Sequence, residues 1–254
     1  NNNVIIKNGA NDTEGVELVK KFIGRSSIRI VSRIGNNARL DDIPNDLDSP
    51  ATYIENDTRF INDMFAYMQK INAALRGPLF HDDIQGDKIF AKVFADFIQP
   101  FNNSLQKIFG ENEKTTIQII NYEDASPYGP AKLIFKKGDS KINYNLLSHG
   151  EKQVVILLLN FLVRKEFYKD AIIFIDEMDC HLNTALQETL MDEIVTKWIP
   201  DTSQLWTASH ALGFINYARN SAIACTLDFD LYNFDSKFEI APARKEQLDV
   251  YDIA

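Results

Sequence analysis

The run Ala171-Ile172-Ile173-Phe174-Ile175, followed at once by Asp176-Glu177, constrains this chain more than any other stretch. An unbroken apolar run of strand length is what a strand covered on both faces requires, and such strands belong to parallel sheets. The flanking sequence agrees. A very apolar helix is predicted over 151–163 and an amphipathic helix carries Leu186, Leu190, Met191, Ile194 and Val195. A strand is predicted over 204–208, a short helix after His210, and a last buried strand over 222–227. Strands alternating with helices specify an α/β fold with a mostly parallel core sheet.

The first half has a different texture. Val4–Ile6 reads as a short strand, and the Asp-, Asn- and Pro-rich segment 36–57 as a long loop. Two amphipathic helices follow. Ile61, Met64, Phe65, Met68, Ile71 and Leu75 mark the first, which Gly77-Pro78 stops. Ile89, Phe90, Val93, Phe94, Phe97, Phe101, Leu105 and Ile108 mark the second. Pro100 should kink or split that helix, and Gly110 should close it. Such stripes point to core packing. Three strands over 116–120, 131–135 and 142–146 then suggest an antiparallel side sheet. The expected organisation is a single domain, with 1–58 its N-terminal part, 59–110 a helical insertion and 111–254 the remainder.

Composition limits the function classes. A chain of 254 residues with 45% hydrophobic and 25% charged residues builds a sizeable core. Its net charge of −9 disfavours broad adhesion to nucleic acid, although Arg25, Arg29, Arg33 and Arg39 form one stretch without acids. Cys180 and Cys225 give no disulfide framework, so a reducing cytoplasm is expected. No signal peptide or apolar run of membrane-spanning length occurs, and the start at Asn1 suggests a trimmed N-terminus.

Three segments carry chemistry. Leu147-Ser148-His149-Gly150-Glu151-Lys152-Gln153 opens a helix, whose free N–H groups and dipole suit a phosphate. The same Ser148 and Glu151 also have the spacing of a capping box. Asp176-Glu177 stands at the carboxyl end of a strand, where open α/β sheets collect ligands. One carboxylate there can hold Mg²⁺ and the other polarise a water, or both can form an ordinary acidic turn. Leu205-Trp206-Thr207-Ala208-Ser209-His210 ends a second strand in small polar groups and a histidine, which is either structural or able to reach a phosphate.

In this order and spacing, residues 147–153, 176–183 and 207–210 resemble the ABC-type ATPases, in the soluble branch of SMC-like and OLD-type proteins. The resemblance implies an ABC-type P-loop ATPase head of α/β class, with a mostly parallel core sheet, an antiparallel side sheet and a helical insertion. It assigns Ser148, Gly150 and Glu151 to a signature motif that contacts ATP held by a second protomer. Asp176 becomes the Walker B aspartate that supports Mg²⁺, Glu177 the general base, Asn183 a D-loop residue and His210 the switch histidine. Many relatives carry Asp where this chain has Asn183. The implied function is ATP hydrolysis that opens and closes a head-to-head dimer and so regulates an effector, a nuclease or toxin in bacterial anti-phage defence. Nucleic acid is a further possible partner; a membrane is not.

One departure stands out. No G-x-x-x-x-G-K-[ST] run occurs in these 254 residues, although Asn8-Gly9-Ala10 and Thr13-Glu14-Gly15 contain glycine. The loop either precedes Asn1, is missing from within the sequence, or has been lost, and the last case would make the domain a scaffold without turnover. No extended heptads predict a long coiled coil. Asp228-Phe229-Asp230 and His81-Asp82-Asp83 read as surface turns or loops.

Overall fold

The structure is a computed structural model, and it describes residues 22–25, 53–54, 60–76, 86–112, 114, 116–123, 132–179, 181–229 and 240–242. Its central layer is a parallel sheet. Strands β1 (Phe22–Arg25), β2 (Tyr53–Ile54), β6 (Ile172–Ile175) and β7 (Gln204–Trp206) lie in the order β2-β1-β6-β7. Ile23 pairs with Ile173 and Arg25 with Ile175, while Phe174 pairs with Trp206. Ile173 and Ile175 are buried and Ile172 and Phe174 half-buried, so the continuous apolar run is what lets β6 sit inside the sheet.

Helix α1 (Phe60–Arg76) buries Met64, Phe65, Met68 and Ile71, the stripe expected from the sequence. Helix α2 (Gly86–Val93) runs through a π turn at Phe94–Ile98 into α3 (Gln99–Phe109), with Pro100 in the first turn of α3. The helical run is unbroken, and the π turn with its Gln99 amide on the Phe94 carbonyl lies just where the ladder must absorb a residue without an N–H. The predicted second stripe thus continues past the proline, and it is not wholly core, since Phe90 is 60% exposed. Asn102 of α3 donates to the Ile119 carbonyl at 2.9 Å and accepts from its amide at 2.8 Å, fastening the helix to the side sheet.

That side sheet is antiparallel, with β3 (Ile117–Glu123), β4 (Lys132–Lys137) and β5 (Ser140–Asn143) in sequence order. The register shifts by a bulge between Ile119 and Asn121. β5 ends earlier than the expected 142–146 strand, and a 3₁₀ turn at Tyr144–Leu146 takes its place, burying Tyr144 and exposing Leu146.

Helix α4 (His149–Val163) is almost wholly buried. Its Val154, Val155, Leu158 and Leu159 are fully enclosed, and each such side chain contributes about 1.5–3 kcal/mol. Helix α5 (Thr184–Glu193) continues as a π turn at Ile194–Trp198, and α6 (Leu212–Asn220) follows β7.

Two polar nodes lie inside this core. Asp63 of α1 accepts from Arg164 Nε at 2.9 Å and from Asn160 Nδ2 at 2.8 Å at the end of α4, and the Tyr168 hydroxyl donates to Asn160. Burial raises the Asp63 carboxyl above its usual value, against the opposing pull of Arg164 and Asn160. It also raises the Tyr168 phenol to about 12. At the second node Ser104 of α3 donates to Glu193 at 2.6 Å, while Lys197 Nζ and Trp198 Nε1 donate to Ser104 at 2.9 and 3.1 Å.

The structure departs from the sequence pattern at several points. Residues 222–226 form no strand and Ile223 is 75% exposed; the strand begins at β8 (Leu227–Phe229), paired antiparallel with β9 (Ile240–Pro242). Asp228 and Phe229 therefore belong to a strand rather than a turn. The 36–57 loop contains β2. Arg25 is buried at the end of β1 and cannot serve an exposed basic patch. Val4–Ile6, the two N-terminal glycine pieces, Arg29, Arg33, Arg39, His81-Asp82-Asp83 and Cys180 lie outside the described residues. Cys225 is exposed. Among the described residues no helix is long and apolar enough to cross a membrane.

Candidate functional site

The carboxyl ends of β6 and β7 open into one cleft of about 280 Å³, lined by Gln153, Glu177, Asp179, His181, Gln187, His210 and Ala211. Backbone bonds set its floor. The Asp176 amide donates to the Arg25 carbonyl at 3.0 Å, extending the β1–β6 ladder by one residue. The next amide, Glu177 N–H, donates across to Ala208 at 2.8 Å on the other side. Two adjacent residues are thereby fixed to the two neighbouring strand ends. Glu177 takes φ of 46° and His181 φ of 54°. Left-handed backbone at non-glycine residues costs of order 1 kcal/mol and collects at functional turns, although Asp170, in the turn before β6, shares it at 54°.

Helix α4 brings a second wall. Ser148 is its N-cap, and the capping-box alternative is realised in full: the Ser148 hydroxyl accepts from the Glu151 amide at 3.4 Å, and Glu151 accepts from the Ser148 amide at 2.8 Å. Lys137 Nζ closes on the other Glu151 oxygen at 2.6 Å. Burial alone would raise the Glu151 carboxyl, but Lys137 and Ser148 outweigh it and hold the group below its usual value. One residue further, the His149 ring packs on His181 with centroids 5.1 Å apart. Gln153, a turn along α4, lies 3.0 Å from His149 Nε2. Burial, then His181 and Lys152, push the His149 imidazole below its usual value, which leaves it neutral near pH 7.

The loop after β6 leads into α5. Asn183 caps that helix, its Oδ1 accepting from the Leu186 amide at 3.1 Å. Gln187, one turn on, donates to the Leu182 carbonyl at 2.8 Å and accepts from the Gly213 amide of α6 at 3.3 Å.

Of the residues singled out from sequence, Glu177 and His210 share the cleft. Asp176 starts the turn beneath it, and Ser148 and Gly150 open the helix that lends it Gln153. Asn183 and Glu151 are engaged as caps and lie outside the lining. Asp179 and Gln187 were missed. No local sequence signal marks Gln187, whose partners Leu182 and Gly213 lie in other segments. Asp176, Glu177 and Asp179 present oxygen donors, the chemistry a hard divalent cation prefers. Among the described residues no group of three or more His, Cys, Asp or Glu forms a metal cluster. Mg²⁺ in nucleotide sites takes only one or two carboxylates beside phosphate and water, so this donor set fits it.

No protein-family model and no curated protein matches the chain. Solved structures do. One is a structure of SMC ATPases concerned with ATP-driven dimerization and DNA-stimulated activation, at 15% identity and a TM-score of 0.44, covering 65% of this chain and 95% of that one. A second is an Smc head domain from Pyrococcus furiosus with an extended coiled coil, bound to the C-terminal domain of ScpA, at 16% identity and TM-score 0.41, covering 76% and 44%. A third is an SmcHead bound to the C-winged helix domain of ScpA, at 19% identity and TM-score 0.41, covering 64% and 47%. The chain spans less than half of the last two structures.

Proposed function

We propose that this chain is an ABC-type ATPase head that binds ATP with Mg²⁺ and hydrolyses it to ADP and phosphate. The observation that carries the reading is the meeting of Glu177 and His210 in one cleft at the ends of adjacent parallel strands, where open α/β sheets take their ligands. In this reading Asp176 holds the metal side of the nucleotide and Glu177 accepts the proton of the attacking water. His210 orients that water against the terminal phosphate. Mg²⁺ supplies charge neutralisation of the phosphates.

The cleft, at about 280 Å³, is at the lower limit of ordinary ligand pockets of roughly 300–1,000 Å³. It suits a site that a second copy completes. The start of α4 is the surface offered to that copy. A hydroxyl that accepts from an amide still has a hydrogen to donate, so the Ser148 cap is compatible with a phosphate of the partner's nucleotide. Asn183 and Gly150 lie on the same side of the reading, Asn183 without the charge that an aspartate would bring. Residues 59–110 are an insertion within one head, and the dimer switches a nuclease or toxin effector in a cytoplasmic anti-phage system.

A scaffold that binds partners without turnover is the second reading, favoured by the lack of a G-x-x-x-x-G-K-[ST] run in these 254 residues. ATP hydrolysis by the native protein and by Glu177→Gln separates the two. Loss of a general base lowers turnover by about 10²–10⁴-fold. The variant is expected to bind ATP and accumulate as a dimer in size-exclusion chromatography. Equal turnover in both proteins would remove Glu177 from the mechanism, and no ATP binding by either would favour the scaffold.

A further inference from the structure

Helix α6 begins directly after His210 and Ala211, yet its N-cap residue Ala211 offers no side-chain acceptor. The first amides of a helix need acceptors from elsewhere. One comes from a different helix, because the Gly213 amide donates to Gln187 Oε1 of α5 at 3.3 Å. The other end of the same amide side chain donates to the Leu182 carbonyl at 2.8 Å, within the turn that follows Glu177. Gln187 is only 9% exposed and forms part of the cleft wall.

The contact is built backbone to backbone. A Cβ at Gly213 would lie 2.4 Å from the Thr184 carbonyl oxygen and 2.6 Å from Gln187 Cβ. The first turns of α5 and α6 therefore meet with no room for a side chain between them. The Glu177–Ala208 backbone bond of 2.8 Å is the second tie between the same two loops, and His210 lies between these two ties in sequence.

We propose that Gln187 is a positioning residue that locks the Leu182 backbone, downstream of Glu177, and the 207–213 segment into one unit, so that Glu177 and His210 are presented to substrate together. The proposal rests on the ATPase reading for its consequence but not for its geometry. A buried amide with both ends engaged holds two loops at once, and a side chain with one functional end holds only one. Gln187→Leu removes both bonds. Gln187→Glu, when ionised, keeps the acceptor for Gly213 and loses the donor for Leu182.

Hydrogen exchange and ATP turnover on the full chain test it. Gln187→Leu should speed exchange in both 181–186 and 211–216 while β6 stays as protected as in the parent. Gln187→Glu should speed exchange mainly in 181–186. Turnover of Gln187→Leu should fall about tenfold in kcat, with ATP affinity within about twofold, because a lost buried hydrogen-bond pair disturbs geometry and leaves the phosphate contacts in place. Unchanged exchange in both segments overturns the clamp, whatever the protein does with ATP. Changed exchange with an unaltered kcat overturns its role in positioning. Changed exchange in a chain that turns over no ATP leaves the clamp standing and defeats the ATPase reading. Should Gln187→Leu not fold, the one-sided pattern of Gln187→Glu decides the same question.

Discussion

Gly213 and Glu151 show how single residues hold this molecule in shape. A methyl group at Gly213 would press on the Thr184 carbonyl and the Gln187 side chain, and forced repacking of that kind costs about 1–3 kcal/mol. Gly213→Ala should lower the denaturant midpoint accordingly, with no change of the m-value. Glu151 gives a pH signature. Its folded value lies below the unfolded one of about 4.5, so its contribution is complete above that pH and disappears as pH falls through the folded value. Glu151→Gln should be less stable than the parent above pH 5, and the gap should close under acid, as read from urea unfolding across pH 3–7. The spacing of Ser148 and Glu151 was enough to foresee this capping box. Gln187 was not foreseeable in the same way, because its two partners come from the β6–α5 loop and from α6, and no local pattern announces a meeting of separate elements.

Elements built on long apolar periodicity were the legible ones. Helices α1 and α4 and strand β6 follow from their stripes and runs, since burial of that much apolar surface leaves few alternatives. Short elements escaped for equally physical reasons. β1 holds only Phe22–Arg25 and ends in an arginine, a residue whose sequence context suggested a basic surface. Arg25 is instead buried, as its neighbours in the sheet dictate. The 222–227 run is apolar enough for a strand, yet Ile223 is largely exposed and pairing starts only at Leu227. Between helices, the strongest single dependence is on Asp63. Its removal takes the carboxylate away from the buried Arg164 guanidinium, and breaking a buried pair costs about 3–5 kcal/mol. Asp63→Ala should therefore unfold at much lower denaturant than the parent, whereas the double change Asp63→Leu with Arg164→Met should recover only part of the loss, since Asn160 and the buried Arg25 also face that carboxylate; equilibrium unfolding makes the comparison directly.

Across the described residues the candidate chemistry lies at the carboxyl ends of the central strands, and the Asp63 node lies at the end of α4 opposite Ser148. The order β2-β1-β6-β7 puts Asp176-Glu177 inside the sheet, between the ends of β1 and β7. Sequence alone placed the acids at a strand end, but which strands flank them is decided by pairings distant in the chain, and these only the fold reveals. The same separation has a mechanical result. Helix α4 spans 15 residues, about 22 Å at the usual rise. Arg164 at one end is held by Asp63, and Ser148 stands at the other. Over that length a tilt of roughly 5° at Arg164 would carry the Ser148 end about 2 Å, over half the length of a hydrogen bond, so the Asp63 pair sets how accurately Ser148 is placed. The Ser148 end is itself held, by its capping box and by Lys137 on Glu151, so α4 is a strut pinned at both ends that fixes the distance between the Asp63 pair and the cleft.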